Sequence, residues 1–266
     1  MCGICGCGQI DDTAKFTPVT DSSPLAPRNS HHHAHAPHSN ERLVNIEQDL
    51  LSKNNAYAEQ NRKFFQQHHV FTLNLVSSPG AGKTTLLVET IKALKTRFPI
   101  AVIEGDQQTE LDVKRIRATG VSAIQINTGR ACHLDAHSIG HAVMALGVQD
   151  HSLLAIENVG NLVCPSSFDL GEAHKVVVLS VTEGDDKPLK YPDMFHAADL
   201  MIINKTDLLP YVDFNLQRCI DFAKQVNPEI EIISLSSTKG ENFQRWTDWL
   251  SHQLQSEDGV DKLTIS

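Results

Sequence analysis

Ser77-Ser78-Pro79-Gly80-Ala81-Gly82-Lys83-Thr84 lies between an apolar strand-like run at 71–76 and a helix-like run at 85–95. Its Gly82-Lys83-Thr84 end matches the phosphate-binding loop pattern, with Ser77 standing where that pattern has its first glycine. Small residues let backbone N–H groups turn inward at a helix N-terminus, which holds an anion without a dedicated side chain. Gly80, Ala81 and Gly82 supply that backbone, and Thr85 continues it into the helix. Lys83 is placed to reach β- and γ-phosphates, and the Thr84 hydroxyl to ligate Mg²⁺. The extra Cβ at Ser77 is tolerable if that residue keeps strand-like backbone angles.

Working outward, apolar runs at 70–77, 100–105, 122–127, 153–157, 175–181, 200–204 and 230–234 alternate with helix-like stretches. This βαβ rhythm predicts an α/β fold: a mainly parallel, doubly wound sheet with helices on both faces, of the P-loop GTPase kind. Ligands of such sheets bind beyond the carboxyl ends of the strands. Upstream, Asn40 is a candidate N-cap for a helix running to about His68, with Leu43, Ile46, Leu50, Phe64 and Phe65 at helical spacing. Residues 1–40 hold glycines, prolines and small polar residues with few large apolar groups. They read as a tail that cannot offset its own ordering entropy, leaving 41–266 as the folded nucleotide-binding domain.

The whole chain has 266 residues, 41% hydrophobic and 21% charged, and no apolar run approaches the roughly 18–20 residues that cross a bilayer. Its net charge of −9 argues against binding a phosphate backbone, so neither nucleic acid nor membrane is an expected partner. The N-terminus lacks the apolar stretch of a secretory signal, which points to the cytoplasm, where thiols stay reduced.

A second motif, Asn204-Lys205-Thr206-Asp207, closes the strand at 200–204. The carboxylate of Asp207 can accept from guanine N1–H and N2–H₂, a donor pair that adenine lacks, so GTP and GDP are the expected nucleotides. Two strand-end acids, Asp106 and Glu157, can complete the Mg²⁺ site with Thr84. Lys83 and Asp106 are the expected catalytic groups. No glutamine follows Gly160 to orient water, so the base stays unassigned and slow intrinsic hydrolysis is expected.

The surplus of six cysteines and 14 histidines is unevenly placed. Cys2, Cys5 and Cys7 pack three thiols into a glycine-rich strip that can wrap one soft ion such as Ni²⁺ or Zn²⁺, and five histidines crowd positions 31–38. In the body, Cys132-His133 and Cys164 each follow a strand end, and His137 and His141 lie four and eight residues beyond His133. Cys219, inside an amphipathic stretch at 216–226, reads as a core residue.

With these residues in hand, the chain resembles the hydrogenase nickel-incorporation GTPases, the HypB family. The resemblance is carried by Cys2-x-x-Cys5-x-Cys7, the histidine-rich segment, the 78–85 loop, Asn127-Thr128-Gly129 before Cys132-His133-Leu134-Asp135, and Asn204-Lys205-Thr206-Asp207. Glu157-Asn158-Val159-Gly160-Asn161-Leu162-Val163-Cys164-Pro165 and Val181-Thr182-Glu183-Gly184-Asp185-Asp186-Lys187-Pro188 add to it. It implies a GTPase that delivers Ni²⁺ to the precursor of the [NiFe]-hydrogenase large subunit, working with a HypA-type nickel chaperone and, in some bacteria, the prolyl isomerase SlyD. It also implies a GTP-favoured homodimer in which Cys132, His133 and Cys164 form a Ni²⁺ or Zn²⁺ site, with His137 contributing. The alternative is a nickel store whose nucleotide site is secondary.

Overall fold

Phe71–Ser77 (β1) enters the phosphate-binding loop with all seven residues buried, and it is the middle strand of the sheet. In this computed structural model, residues 38–106, 111–129 and 131–260 are described, side chains from 48 to 255. Cys2, Cys5, Cys7 and histidines 31–35, expected to bind metal, therefore lie outside the described residues. Two units divide the chain, Met1–Leu50 and Leu51–Ser266. Of the first, residues 38–50 are described, as the opening turns of a helix His38–Gln67 (α1). The remainder of α1 belongs to the second unit, which holds everything that follows.

After β1 come Lys83–Leu94 (α2), Ile100–Asp106 (β2), Leu111–Arg117 (α3), Ser122–Asn127 (β3), Ala136–Leu146 (α4) and Leu153–Gly160 (β4). His174–Ser180 (β5), Lys187–Lys190 (α5), Pro192–Ala197 (α6), Leu200–Asn204 (β6), Leu216–Val226 (α7), Glu231–Ser234 (β7) and Phe243–Val260 (α8) complete the order. The strands form one sheet, β3-β2-β4-β1-β5-β6-β7, and every pairing is parallel. The expected doubly wound architecture is present.

Burial follows the pleat. Leu73 and Leu75 of β1 face Leu86, Ile91 and Leu94 of α2 and Trp246 and Leu250 of α8 on one side. Trp246 is buried whole because its indole N–H donates to Thr90 Oγ1 at 2.8 Å, which removes the cost of an unpaired buried donor. The other side is covered in two patches. Ile139 and Val143 of α4 and Phe65 of α1 pack on Ile103, Leu154 and Ile156. Phe195 of α6 and Cys219 and Ala223 of α7 pack on Val177, Leu179 and Ile203. Cys219 is a core residue as expected, fully buried, its thiol pushed up to about 12 by that burial and by the Asp185 and Glu183 charges.

Two expected boundaries move. The first helix opens at His38 rather than at Asn40, within the residue or two by which helix ends blur. More consequential, β4 runs on to Gly160, so Glu157 is an interior strand residue and not the strand-end acid expected. The strand bulges there: Leu75 pairs with Glu157 but Ser77 pairs with Gly160. Among the described residues no helix is long and apolar enough to cross a membrane.

Candidate nucleotide cleft and thiol cluster

The loop after β1 is built on two left-handed glycines, Gly80 (φ 77°) and Gly82 (φ 100°), the second serving as N-cap of α2. A side chain at Gly82 would put its Cβ 2.6 Å from Asn204 Nδ2, so the loop and the end of β6 require glycine there. Ser77 is the last residue of β1, completely buried, and its hydroxyl accepts from Lys83 Nζ at 2.7 Å. The departure from the glycine pattern thus gives the buried lysine a resting partner. Burial holds the Lys83 ammonium below its ordinary range, against the opposing pull of Glu157.

Gly80, Gly82, Lys83, Thr84 and Thr85 line a cleft of about 560 Å³ that also takes in Asp106 and Glu157. Thr84 Oγ1 donates to Glu157 Oε1 at 2.7 Å, so two of the expected Mg²⁺ ligands already touch. A third acid, marked by no sequence motif, also lines the cleft. Glu104, in the middle of β2, stands in register with Glu157 of β4 and is 3% exposed. Burial, with the charges of Glu157, Asp106 and Asp112 added, pushes Glu104 up to about 8. Burial likewise raises Glu157, although Lys83 and the Thr84 hydroxyl work the other way. One oxygen of each, Glu104 Oε2 and Glu157 Oε2, is buried without a hydrogen-bond partner. Like charges opposite each other in neighbouring strands repel, and a cation between them removes both penalties. Arg115, likewise unmarked, lines the same cleft and donates to Thr85 Oγ1 at 3.2 Å.

Behind the loop, Asn204 is 1% exposed and works as a connector. Its Nδ2 donates to Ala81 O at 3.1 Å, and its Oδ1 accepts from the Lys205 and Ser237 N–H groups. Lys205 takes a left-handed backbone (φ 61°) and its Nζ reaches Gly80 O at 2.7 Å. Asp207 Oδ1 accepts from Ser236 Oγ at 2.6 Å, which orients the carboxylate expected to read guanine. Ser236 and Ser237 follow β7; the only signal for them in the sequence was a polar pair after a short apolar run.

The body thiols do meet. Cys132 follows β3, Cys164 opens the short 3-10 turn Cys164–Ser166, and their sulfur atoms lie 2.7 Å apart. His133 Nδ1 is 3.7 Å from Cys132 Sγ, and one ligand atom from each of the three residues falls within 4.8 Å of the others. Burial lowers the His133 pKa, against the pull of Asp135, favouring the neutral ring that ligates metal. His137 is not in this cluster: its Nε2 lies 3.1 Å from His141 Nε2 on the exposed side of α4, with Tyr57 against its ring.

Two asparagines of α1 hold the segments that carry the thiols. Asn54 accepts from Ala136 N–H and donates to Asp169 O; Asn61 donates to both Ala136 O and Leu170 O. Asn158 links cluster to cleft: it lines the cleft, and its Oδ1 accepts from the N–H of Leu134, next to His133, at 3.2 Å.

Residues 71–234 match the family described as CobW/HypB/UreG, nucleotide-binding domain. The hydrogenase maturation factor HypB of Azotobacter vinelandii is 62% identical over 221 residues, 83% of this chain and 73% of that protein. The Escherichia coli (strain K12) factor of the same name is 57% identical over 241 residues, 90% of this chain and 83% of its own. Among solved structures, HypB from Archaeoglobus fulgidus is similar with a TM-score of 0.72 at 40% identity, covering 76% of this chain and 99% of that one. HypB from Helicobacter pylori, determined in complex with nickel, has a TM-score of 0.72 at 41% identity, covering 77% and 96%. A seven-stranded parallel sheet, a glycine-built phosphate loop backed by Asn204 and this degree of identity agree: the chain belongs to the CobW/HypB/UreG nucleotide-binding family and, within it, to the HypB hydrogenase maturation factors.

Proposed function

We propose that this protein is a GTP-hydrolysing nickel metallochaperone that inserts Ni²⁺ into the [NiFe]-hydrogenase large-subunit precursor, with nucleotide state governing dimerisation and metal release. The observation that carries the reading is Asn158, which sits on the cleft wall and bonds the backbone beside His133. Two ligand sites that share a wall can each bias the same loop arrangement. The related H. pylori protein was crystallised with nickel, and a Cys132–His133–Cys164 set offers the N and S donors that suit Ni²⁺ or Zn²⁺.

In this reading the GTP phosphates lie in the loop of Gly80, Ala81 and Gly82, and Lys83 leaves Ser77 to meet them. Asp207, held by Ser236, receives guanine. Thr84, Glu157 and Asp106 would hold Mg²⁺, and the unpartnered buried oxygens of Glu104 and Glu157 fit such a cation. When bound, Mg²⁺ neutralises charge on the β- and γ-phosphates during transfer to water. Lys83 and Asp106 remain the assigned catalytic groups. The Cys2, Cys5, Cys7 strip and the histidine segment, in the 1–40 tail, capture Ni²⁺ ahead of the body site. A homodimer, a HypA-type chaperone and SlyD are the expected partners, in the cytoplasm.

Nickel affinity of the body site, measured with GDP and with a non-hydrolysable GTP analogue, tests the coupling. At least a threefold difference is expected; equal affinities would overturn it. By linkage, nickel must change nucleotide affinity by the same factor.

A further inference from the structure

A polar seam crosses the sheet face that α1 and α4 cover, where apolar residues would pack without desolvation. Asn74 of β1 stands in register with Lys175 of β5 and with Ile156 of β4. Asn158 Nδ2 donates to Asn74 Oδ1 at 3.2 Å, and Asn74 Nδ2 donates to Glu172 Oε1 at 2.9 Å. Lys175 Nζ lies 3.7 Å from the same Glu172 oxygen, and both side chains are nearly closed off from solvent, 9% and 6% exposed.

The ammonium of Lys175 also donates to the carbonyls of Pro165, Ser166 and Phe168, at 3.1, 3.3 and 3.4 Å. That stretch begins one residue after Cys164, and its only regular structure is the 3-10 turn Cys164–Ser166. Phe168, one of the three carbonyl owners, packs its ring 3.8 Å from the ring of His133. One buried cation therefore gathers the backbone on which a thiol ligand rides and the aromatic ring against which the imidazole rests. A buried ion pair contributes little net stability compared with an apolar replacement of the same shape. Positional definition is what it supplies.

We propose that Lys175, tied through Glu172 and Asn74 to Asn158, is a positioning residue for the thiol site. It fixes the Cys164 arm at ligand distance from Cys132 and His133 and anchors that arm to the wall of the nucleotide cleft, although it touches neither metal nor nucleotide. This rests on the reading that Cys132, His133 and Cys164 hold a divalent ion.

The test uses the full chain carrying Cys2→Ala, Cys5→Ala and Cys7→Ala, with Co²⁺ alone as probe. Thiolate-to-cobalt charge-transfer absorption then reports Cys132 and Cys164, since Cys219 is fully buried in the core. Lys175→Met should weaken the Co²⁺ complex tenfold or more and reduce the charge-transfer intensity at saturation. Lys175→Arg, which keeps a cation able to serve the carbonyls, should recover most of both. Asn74→Leu should reproduce a smaller part of the loss. If Lys175→Met does not fold, Lys175→Gln, which keeps N–H donors but no charge, carries the comparison with Lys175→Arg. Parent-like Co²⁺ binding in the Met or Gln variant, with a band that Cys132→Ala abolishes, overturns the positioning role alone. A band insensitive to Cys132→Ala and Cys164→Ala overturns the metal-site reading and this proposal with it.

Discussion

Replacing Gly82 by alanine sets a backbone requirement against a contact, and the two contributions can be separated. Gly82 has φ 100°, and a Cβ built there stands 2.6 Å from Asn204 Nδ2, where ordinary contact begins near 3.4 Å. A non-glycine residue in left-handed conformation costs about 1–2 kcal/mol. Asn204 must also give way by roughly 0.8 Å, which strains its 3.1 Å bond to Ala81 O and with it about 0.5–1.5 kcal/mol. An empty loop can relax into another shape, but phosphate binding demands this one, so the cost falls on the bound state. The sum, about 1.5–3.5 kcal/mol, corresponds to a loss of roughly 12- to 400-fold in GDP affinity. Gly80 provides the control: its φ is 77°, but a Cβ there meets nothing within 4 Å. Gly80→Ala therefore carries the backbone cost alone, roughly 5- to 30-fold. The assay is titration with a fluorescent guanine nucleotide, with thermal unfolding confirming that both variants fold. Gly82→Ala binding GDP within a factor of five of the parent, or both variants losing the same amount, would refute the assignment of Asn204 as the connector behind the loop.

Three further outcomes follow from the same geometry. Glu157→Gln removes one of two opposed buried carboxylates, so the gain in GTP affinity on adding Mg²⁺ should shrink at least tenfold while stability without Mg²⁺ holds or rises; an unchanged Mg²⁺ dependence would remove Glu157 from that site. Asp169 has its carboxyl below the usual range: burial works to raise it, but hydrogen bonds from Arg62 and the Gly171 N–H outweigh burial. A depressed folded pKa gives stability that is complete above the unfolded value and is lost as pH falls on through the lower folded value, so the urea-midpoint gap between parent and Asp169→Asn should be present at pH 7 and close below about pH 4. At this half-exposed position the gap is about 1 kcal/mol or less, and a gap that widens in acid would contradict the sign. Trp246→Phe loses the Thr90 bond and part of the volume that α8 places against α2, and should lower stability by about 1–3 kcal/mol in urea unfolding with the slope unchanged.

The sheet was legible because burial on both faces leaves near-continuous apolar runs, and each run in the sequence became a strand within a residue or so at its start. The exception shows what a single chain hides. Glu157-Asn158 at the end of an apolar run looks like the start of a loop, yet both residues are buried and inside β4. Their partners, Thr84, Asn74 and the Leu134 N–H, come from three separate parts of the chain. Glu104 escaped notice for the same reason: its significance lies in the register with Glu157, which no local pattern encodes.

The same distinction separates ligands from the residues that place them. Cys132, His133 and Cys164 could be singled out because thiols and imidazoles beyond strand ends have a chemistry of their own, and the structure brings the three together. Asn54, Asn61, Asn74 and Lys175 have no such chemistry; each is an ordinary polar residue until its carbonyl, amide or carboxylate partner is located. Yet the cluster depends on them, since the 131–135 segment and the 161–173 segment approach each other without a shared strand or helix. Asn161 Nδ2 donates to Cys132 O at 3.2 Å and ties one thiol arm to the other. Further ties come from Asn54 and Asn61 of α1, from Asn158 of β4 and from Lys175 of β5. A site held this way can be loosened at its supports without touching a ligand, so its metal affinity should respond to changes at Asn61 and Lys175 in the way that sites built on a single element do not.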